Sequence, residues 1–225
     1  MIETTEEFAL INNTLSKDFK EAIQIYIDSF PPNERQTVDN ICYKLNNKPY
    51  FMNIYQKDNV PVAFSLIYIF KGQKFALFDY MAVKKNYRNM GIGSKLFNYT
   101  CEFAFNKLED ENSLIFLEVE DPKHGNNLEE NILRERRIKL YYGLGAKILE
   151  NLQYFLPPLS EKKPTIMIMM AVSKINLEKI RKEHLVKILK NIYSNIYDRG
   201  KDDKFLNQMI KAIKNMDDNK YINLI

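Results

Sequence analysis

The sequence predicts an α/β fold in which helices flank a mixed, mostly antiparallel central sheet, with a helical extension at the C-terminal end. Three observations lead there. Apolar and aromatic runs of strand length recur through the first 173 residues, helical patterns fill the gaps between them, and beyond Lys174 only helical stripes remain.

The runs are EEFALIN near the start, then PYFMNIYQ, PVAFSLIYIF, FALFDYMAV, SLIFLEVE and TIMIMMAV. Lys57-Asp58-Asn59 joins the second run to the third, and Lys71-Gly72-Gln73-Lys74 joins the third to the fourth. Such short junctions rich in Asp, Asn and Gly read as hairpin turns, so these three strands form an antiparallel meander. Helices are predicted over Lys17–Ser29, Val38–Leu45, Gly91–Leu108 and Leu128–Leu144, the last ending where Gly143 and Gly145 supply a stop signal. In the extension, Leu177, Ile180, His184, Ile188, Ile192 and Ile196 form one stripe, on which His184 is read as a packing residue. Phe205, Leu206, Met209, Ile210 and Ile213 form a second, and Asp198-Arg199-Gly200-Lys201-Asp202 turns the chain between them. The expected division is a body at 1–173 and a helical extension at 174–225.

The net charge is +4, and residues 174–225 hold 12 Lys and Arg against 7 Asp and Glu, so the surplus sits in the extension and the body is near neutral. A surplus this small reads as solvated helix faces, whereas nucleic-acid binding calls for a denser basic patch. The opening MIETTEEFAL lacks the basic and apolar regions of a signal peptide, and no apolar run reaches the roughly 18 residues of a membrane span. A cytoplasmic protein with no membrane partner is expected. Cys42 and Cys101 stand far apart without CxxC spacing, so neither a disulfide framework nor a metal site is expected.

The stretch that carries chemistry is RNMGIGSKLF, directly after FALFDYMAV. A strand ending at Val83, a short loop and a helix opening at Gly91 to Gly93 put free backbone N–H groups and a positive dipole end at a sheet edge. Glycines let phosphate oxygens approach the backbone, and Arg88 adds a charged donor. A Walker A loop does not fit, because Gly91-Ile92-Gly93-Ser94-Lys95 has the wrong spacing, and a dinucleotide fingerprint needs a glycine where Leu96 stands.

The segment AVKKNYRNMGIGSKLF resembles the acyl-CoA signature of the GCN5-related N-acetyltransferases, the GNAT family, with Arg88, Gly91 and Gly93 at its fixed positions. A second element, RIKLYYGLGAK, resembles that family's later motif, an aromatic, a tyrosine, two variable residues, Leu and Gly. The resemblance covers about residues 5 to 173 and omits the extension. It implies that the fourth and fifth strands splay and that the pantetheine arm of acetyl-CoA, or of another acyl-CoA, hydrogen-bonds like an extra strand, with Met81 and Val83 as candidate contacts. The diphosphate then rests on Arg88, Asn89, Met90, Gly91, Ile92, Gly93 and Ser94.

Acyl transfer to an amine needs an uncharged amine, a polarised thioester and a proton for the leaving thiolate. Tyr141 matches the family tyrosine that supplies this proton, with Tyr142 as the neighbouring register. Candidate bases or anchors are carboxylates on the splayed strands: Glu118 first, then Asp79, then Glu120. By alternation, Glu118 and Glu120 share one face of their strand, and Asp79, Met81 and Val83 share one face of theirs. A carboxylate in an apolar strand is costly unless paired or put to use. The segment SFPPNER lies between the first two helices, which commonly line the family's acceptor pocket, so Glu34 and Arg35 are candidate substrate contacts. His124 reads as a solvated loop residue.

The function expected is N-acyl transfer, acetyl transfer foremost, to a primary amine of a small molecule or peptide by direct attack in a ternary complex. Two alternatives remain open at this point. One is transfer of a longer chain from CoA or an acyl carrier protein that the basic extension would face. The other is a catalytically silent acyl-CoA sensor or scaffold. A homodimer is a further possibility, since the extension's stripes must be covered by the body or by a second subunit.

Overall fold

A computed structural model describes residues 5–32, 35–158, 163–216 and 220–225. Within them are six α-helices and ten strands, and the chain divides into two compact units, Met1–Gly72 with Ala76–Asp110 and Gln73–Phe75 with Glu111–Ile225.

In the first unit the strand order is β1 (Glu6–Leu10), β2 (Tyr50–Lys57), β3 (Val60–Phe70), β4 (Phe75–Val83). Both β1 and β3 run antiparallel to β2. The β2–β3 hairpin turns through Asp58 and Asn59 at φ 51° and 60°, the left-handed pair that a two-residue connection requires. Strand β3 is buried from Pro61 to Phe70, which is why PVAFSLIYIF reads as an unbroken apolar run. Its one serine, Ser65, is satisfied by Thr100 at 2.6 Å.

Helices cover both faces of these strands. On one side α1 (Lys17–Ser29) sets Tyr26 edge-on to Phe64 and Tyr80, with α2 (Val38–Asn47) following it. On the other, α3 (Ile92–Leu108) places Phe97 against Phe78 and Tyr99 in a stack on Phe8. Ser16 caps α1 and Thr37 caps α2 by accepting from Phe19 and Asn40 N–H, which fixes where each begins.

In the second unit β8 (Thr165–Ser173) is the central strand, with β5 (Leu114–Glu120) antiparallel on one side and β6 (Lys147–Ile148) and β7 (Tyr154–Leu156) on the other. Helix α4 (Leu128–Gly143) packs on β5. The mixed, mostly antiparallel sheet with flanking helices is the one predicted.

The residues after Ser173 differ from the expectation of helix alone. Lys179–Arg181 forms β9, which pairs antiparallel with β10 (Tyr221–Asn223), and only then does α5 (Lys182–Ile196) begin, followed by α6 (Lys204–Asn215). Leu177 and Ile180 therefore precede the helix. The buried stripe of α5 is Leu185, Ile188, Leu189, Ile192, Tyr193 and Ile196. His184 is exposed, because the later helix start centres the buried face away from it. Strands β6, β7, β9 and β10 are too short to carry a period-2 pattern, and long-range pairing rather than local propensity forms them.

The second unit includes these C-terminal residues by contact. Ile148 and Ile225 exchange N–H···O bonds of 2.7 and 3.0 Å, and Glu150 N–H donates to the Asn223 carbonyl at 3.0 Å. Phe155 N–H meets Met209 Sδ at 3.3 Å, and the Tyr193 hydroxyl donates to the Phe155 carbonyl.

Candidate active site

Strand β4 ends at Val83, a single 3₁₀ turn follows at Lys85–Tyr87, and α3 opens with Gly91 as its N-cap. Gly91 has φ 75° and ψ −2°, a left-handed conformation that costs a residue with a Cβ about 1–2 kcal/mol. No side chain caps this helix. Its first internal bond runs from Lys95 N–H to the Gly91 carbonyl at 3.1 Å, so the N–H groups ahead of Lys95 have no carbonyl before them in the helix. Arg88 donates from Nε to the Val83 carbonyl at 3.0 Å, bracing the loop against the end of the strand while its guanidinium stays exposed.

Asn89, Met90 and Gly91 are exposed, and Gly93 and Ser94 are half-buried. Ile92 turns inward to Tyr55, Val62, Ala63 and Leu96, and Met81 and Val83 pack on the same cluster. The side chains of Ile92, Met81 and Val83 are thus structural, and what these residues can offer a ligand is backbone.

The expected alternation along β4 fails at Asp79. Phe78 faces α3, as do Met81 and Val83. Asp79 and Tyr80 both turn the other way: Asp79 accepts from Tyr50 OH at 2.5 Å and Gln36 Nε2 at 3.1 Å, while the Tyr80 ring lies edge-on to Tyr26 and Phe30. Two successive side chains on one face are what a bulge produces, and a period-2 reading cannot anticipate it. Asp79 therefore does not share a face with Met81 and Val83.

A polar network continues from Asp79. Gln36 is buried and accepts from Lys44 Nζ at 2.6 Å and Asn40 Nδ2 at 3.0 Å, while its carbonyl accepts from Tyr26 OH at 3.0 Å. Burial pushes the Asp79 carboxyl above its ordinary value of 3.8, against the opposing pull of the Lys44 charge and of the bonds from Tyr50 and Gln36. The folded state then holds the Asp79 proton more tightly than the unfolded chain does. Its contribution to stability accordingly falls as pH rises from about 3.8 through the raised value. Asp79→Asn should remove that fall, as read from urea midpoints on either side of the window; an unchanged pH slope would contradict it.

In the second unit both oxygens of Glu118 are engaged: Tyr154 OH donates to Oε1 and Tyr197 OH to Oε2. Glu120 is ion-paired with Arg137 of α4, one turn before Tyr141. Tyr141 is 9% exposed and Tyr142 60% exposed, so the two registers are physically distinct. Helix α4 ends as its glycines predict. Gly145, at φ 89°, donates to the Tyr142 carbonyl at 3.0 Å and Ala146 N–H to the Tyr141 carbonyl at 3.0 Å, a Schellman closure that fixes Tyr141 three residues before the cap.

Arg35 donates from Nη1 to the carbonyls of Ile27 and Phe30, at 2.7 and 3.0 Å, and so closes the end of α1. Glu34 lies outside the described residues. His124 is exposed near Asp121. Cys101 is buried in α3, and burial pushes its thiol well above the ordinary range, which makes it a poor acyl-accepting nucleophile. Among the described residues no group of three or more His, Cys, Asp and Glu side chains is placed to hold a metal, and no helix is long and apolar enough to cross a membrane. Tyr50, Gln36, Lys44, Tyr154 and Tyr197 escaped the sequence reading, since nothing local marks a tyrosine as the partner of a carboxylate 29, 36 or 79 positions away.

Residues 19–127 match the family model for GNAT acetyltransferases. Among curated proteins none matches. Among solved structures, a GNAT-family protein from Bacteroides thetaiotaomicron, described as an acetyltransferase, aligns with a TM-score of 0.68 at 22% identity, covering 86% of this chain and 99% of that one. NAA60 of Arabidopsis thaliana, solved with acetyl-CoA, aligns with a TM-score of 0.56 at 14% identity over 75% of this chain and 98% of its own. An aminoglycoside 6'-N-acetyltransferase solved with coenzyme A gives 0.55 at 18%, over 75% and 97%. At these identities the likeness to solved structures is one of fold. The segment that matches the GNAT acetyltransferase family model contains the glycine-opened start of α3.

Proposed function

We propose that this chain is an N-acyltransferase that moves an acetyl group from acetyl-CoA, or the acyl group of another acyl-CoA, to the primary amine of a small molecule or peptide. The observation that carries this reading is the mouth of α3: a left-handed Gly91, no side-chain cap, and N–H groups open ahead of Lys95. Such an end receives a diphosphate without displacing any protein group. Free acyl-CoA brings its own diphosphate to such a loop, which favours it over a carrier-protein donor. The boundary at 173/174 marks, in this reading, the end of the family-like body rather than the end of a folding unit.

Direct transfer fits the side chains available. The amine nitrogen bonds to the thioester carbonyl carbon, the C–S bond breaks, Tyr141 protonates the thiolate, and the proton lost by the amine passes to a carboxylate. Asp79, raised by burial, suits the base. Glu118, with each oxygen accepting a phenol, suits a fixed negative charge that receives an ammonium.

The test is acetyl-CoA affinity by calorimetry. Gly93→Ala should fold normally, since its Cβ would come no closer than 3.8 Å to Val83 Cγ2, and Gly93→Val should weaken binding further by crowding the approach. Gly91→Val adds backbone strain at φ 75°, so its thermal midpoint must be read alongside. Arg88→Ala should weaken binding by up to about 1.5–3 kcal/mol, less as salt rises. Unchanged affinity in both Gly91→Val and Gly93→Val would overturn the anion-site reading. Tight binding with no thiol release across an amine panel would favour a sensor.

A further inference from the structure

The C-terminal residues hold a tyrosine against the carboxylate assigned above to the acceptor amine. We propose that Tyr197, the C-cap residue of α5, is a positioning residue of the acceptor site, and that with Tyr154 it clamps Glu118 to receive a cationic amine. The proposal rests on the reading of Glu118 as the acceptor's counter-charge.

The clamp is built on a frame. Tyr193 is fully buried, its hydroxyl donates to the Phe155 carbonyl, and its ring stands edge-on to Tyr154 at 6.4 Å and to Tyr197 at 6.0 Å between centroids. Just beyond the end of α5, Arg199 Nη2 donates to the Pro158 carbonyl at 2.8 Å, and Arg199 N–H returns to the Tyr193 carbonyl at 2.9 Å. The end of α5 is therefore fastened to the segment around β7 at two backbone carbonyls. From that frame Tyr197 OH reaches one oxygen of Glu118, and Tyr154, itself buried and held in β7, reaches the other.

A half-buried glutamate on a strand has free χ torsions unless something stops them. Here two phenols do, one from β7 and one from the residues beyond 174. The charge is held in place while the half-buried Tyr197 ring supplies aromatic surface beside it. A carboxylate and an aromatic ring together favour an ammonium over a neutral acceptor. The residues beyond 174 thereby become part of the substrate site, although the family-like pattern of the sequence ends before them.

The experiment uses the full chain with spermidine, kanamycin and an alanine-initiated tripeptide as acceptors, following thiol release from acetyl-CoA and amine binding by calorimetry. Tyr197→Phe should raise the amine KM about tenfold, the order expected when one charged hydrogen bond is lost, with kcat and acetyl-CoA affinity near wild type. In a Glu118→Gln background the same substitution should add nothing, because the phenol acts through that carboxylate. If Tyr197→Phe lowers only the thermal midpoint while Glu118→Gln raises the amine KM, Tyr197 is a structural tie and the proposal falls alone. If Glu118→Gln leaves the amine KM unchanged, or none of the three amines binds, the reading of Glu118 falls and takes the proposal with it.

Discussion

Tyr141→Phe is expected to lower kcat by about 10²- to 10⁴-fold, the range for a positioned general acid, with acetyl-CoA affinity and thermal midpoint near wild type. Of the side chains on α4, only those of Arg134 and Tyr141 are buried, so the phenylalanine ring keeps the packing that matters for stability. The Schellman closure at Gly145 and Ala146 uses the Tyr141 carbonyl, not its hydroxyl, and survives the change. What disappears is one O–H. If that group protonates the departing thiolate, the loss should shrink when the donor thiol is a better leaving group, because less protonation is then needed. A packing role predicts no such dependence. Tyr142→Phe serves as the register control, since its ring is mostly in solvent. A crippled Tyr142→Phe beside a normal Tyr141→Phe would shift the motif by one residue, and full turnover in both would place the proton source elsewhere.

The fold was legible where one residue pattern sufficed to form an element. The first two helices begin where expected because Ser16 and Thr37 are capping residues in front of periodic runs. The β2–β3 hairpin was legible because Asp58 and Asn59 tolerate positive φ. What stayed hidden needs information from elsewhere in the chain. Strand β9 reads as the start of a helical stripe because Ile180 falls on its spacing, and only pairing with Tyr221–Asn223 makes it a strand. Asp79 was legible as a carboxylate in an apolar run, but its face was not, because the local slip at Asp79 and Tyr80 breaks alternation without any glycine or proline to announce it.

The candidate site divides in the same way. The glycine loop is contiguous, so Arg88, Gly91 and Gly93 could be read together, and Gly91 takes the left-handed φ that its type permits. The carboxylates are legible only as oddities of charge. Whether one is a base, an anchor or half of a salt bridge is decided by partners. Glu120 has Arg137, Asp79 has a buried Gln36 and Lys44 behind it, and Glu118 has two phenols. Burial raises the affinity of the Asp79 carboxyl for its proton although Tyr50 and Gln36 both donate to its Oδ2, whereas the two phenols on Glu118 donate to different oxygens and so fix its orientation. This difference in surroundings is why Asp79 is assigned the proton and Glu118 the ammonium.

Deleting Lys174–Ile225 is expected to abolish soluble, folded protein rather than trim an appendage. Helix α5 buries Leu185, Ile188, Leu189, Ile192, Tyr193 and Ile196, and α6 buries Leu206, Met209 and Ile213. Burial of a large apolar side chain is worth about 1.5–3 kcal/mol. Part of that is mutual burial between the two helices and leaves with them, so only a fraction counts against the remaining unit. Even half of it, for nine side chains, is comparable to the roughly 5–15 kcal/mol that holds a domain folded. The truncation also uncovers Phe155 and Tyr154, which pack on Phe205 and Tyr193, and leaves the edge formed by Ile148 and Glu150 without the pairing of Asn223 and Ile225. Exposed apolar surface and an open strand edge both promote association. Light scattering and dye binding should therefore report aggregates. Removing only Lys220–Ile225 should be milder, lowering the thermal midpoint through loss of β10 and the Ile148–Ile225 pair while α5 stays docked. A monodisperse, fully active chain ending at Ser173 would refute this account, and would refute the clamp on Glu118 as well, because no Tyr197 would remain to hold it.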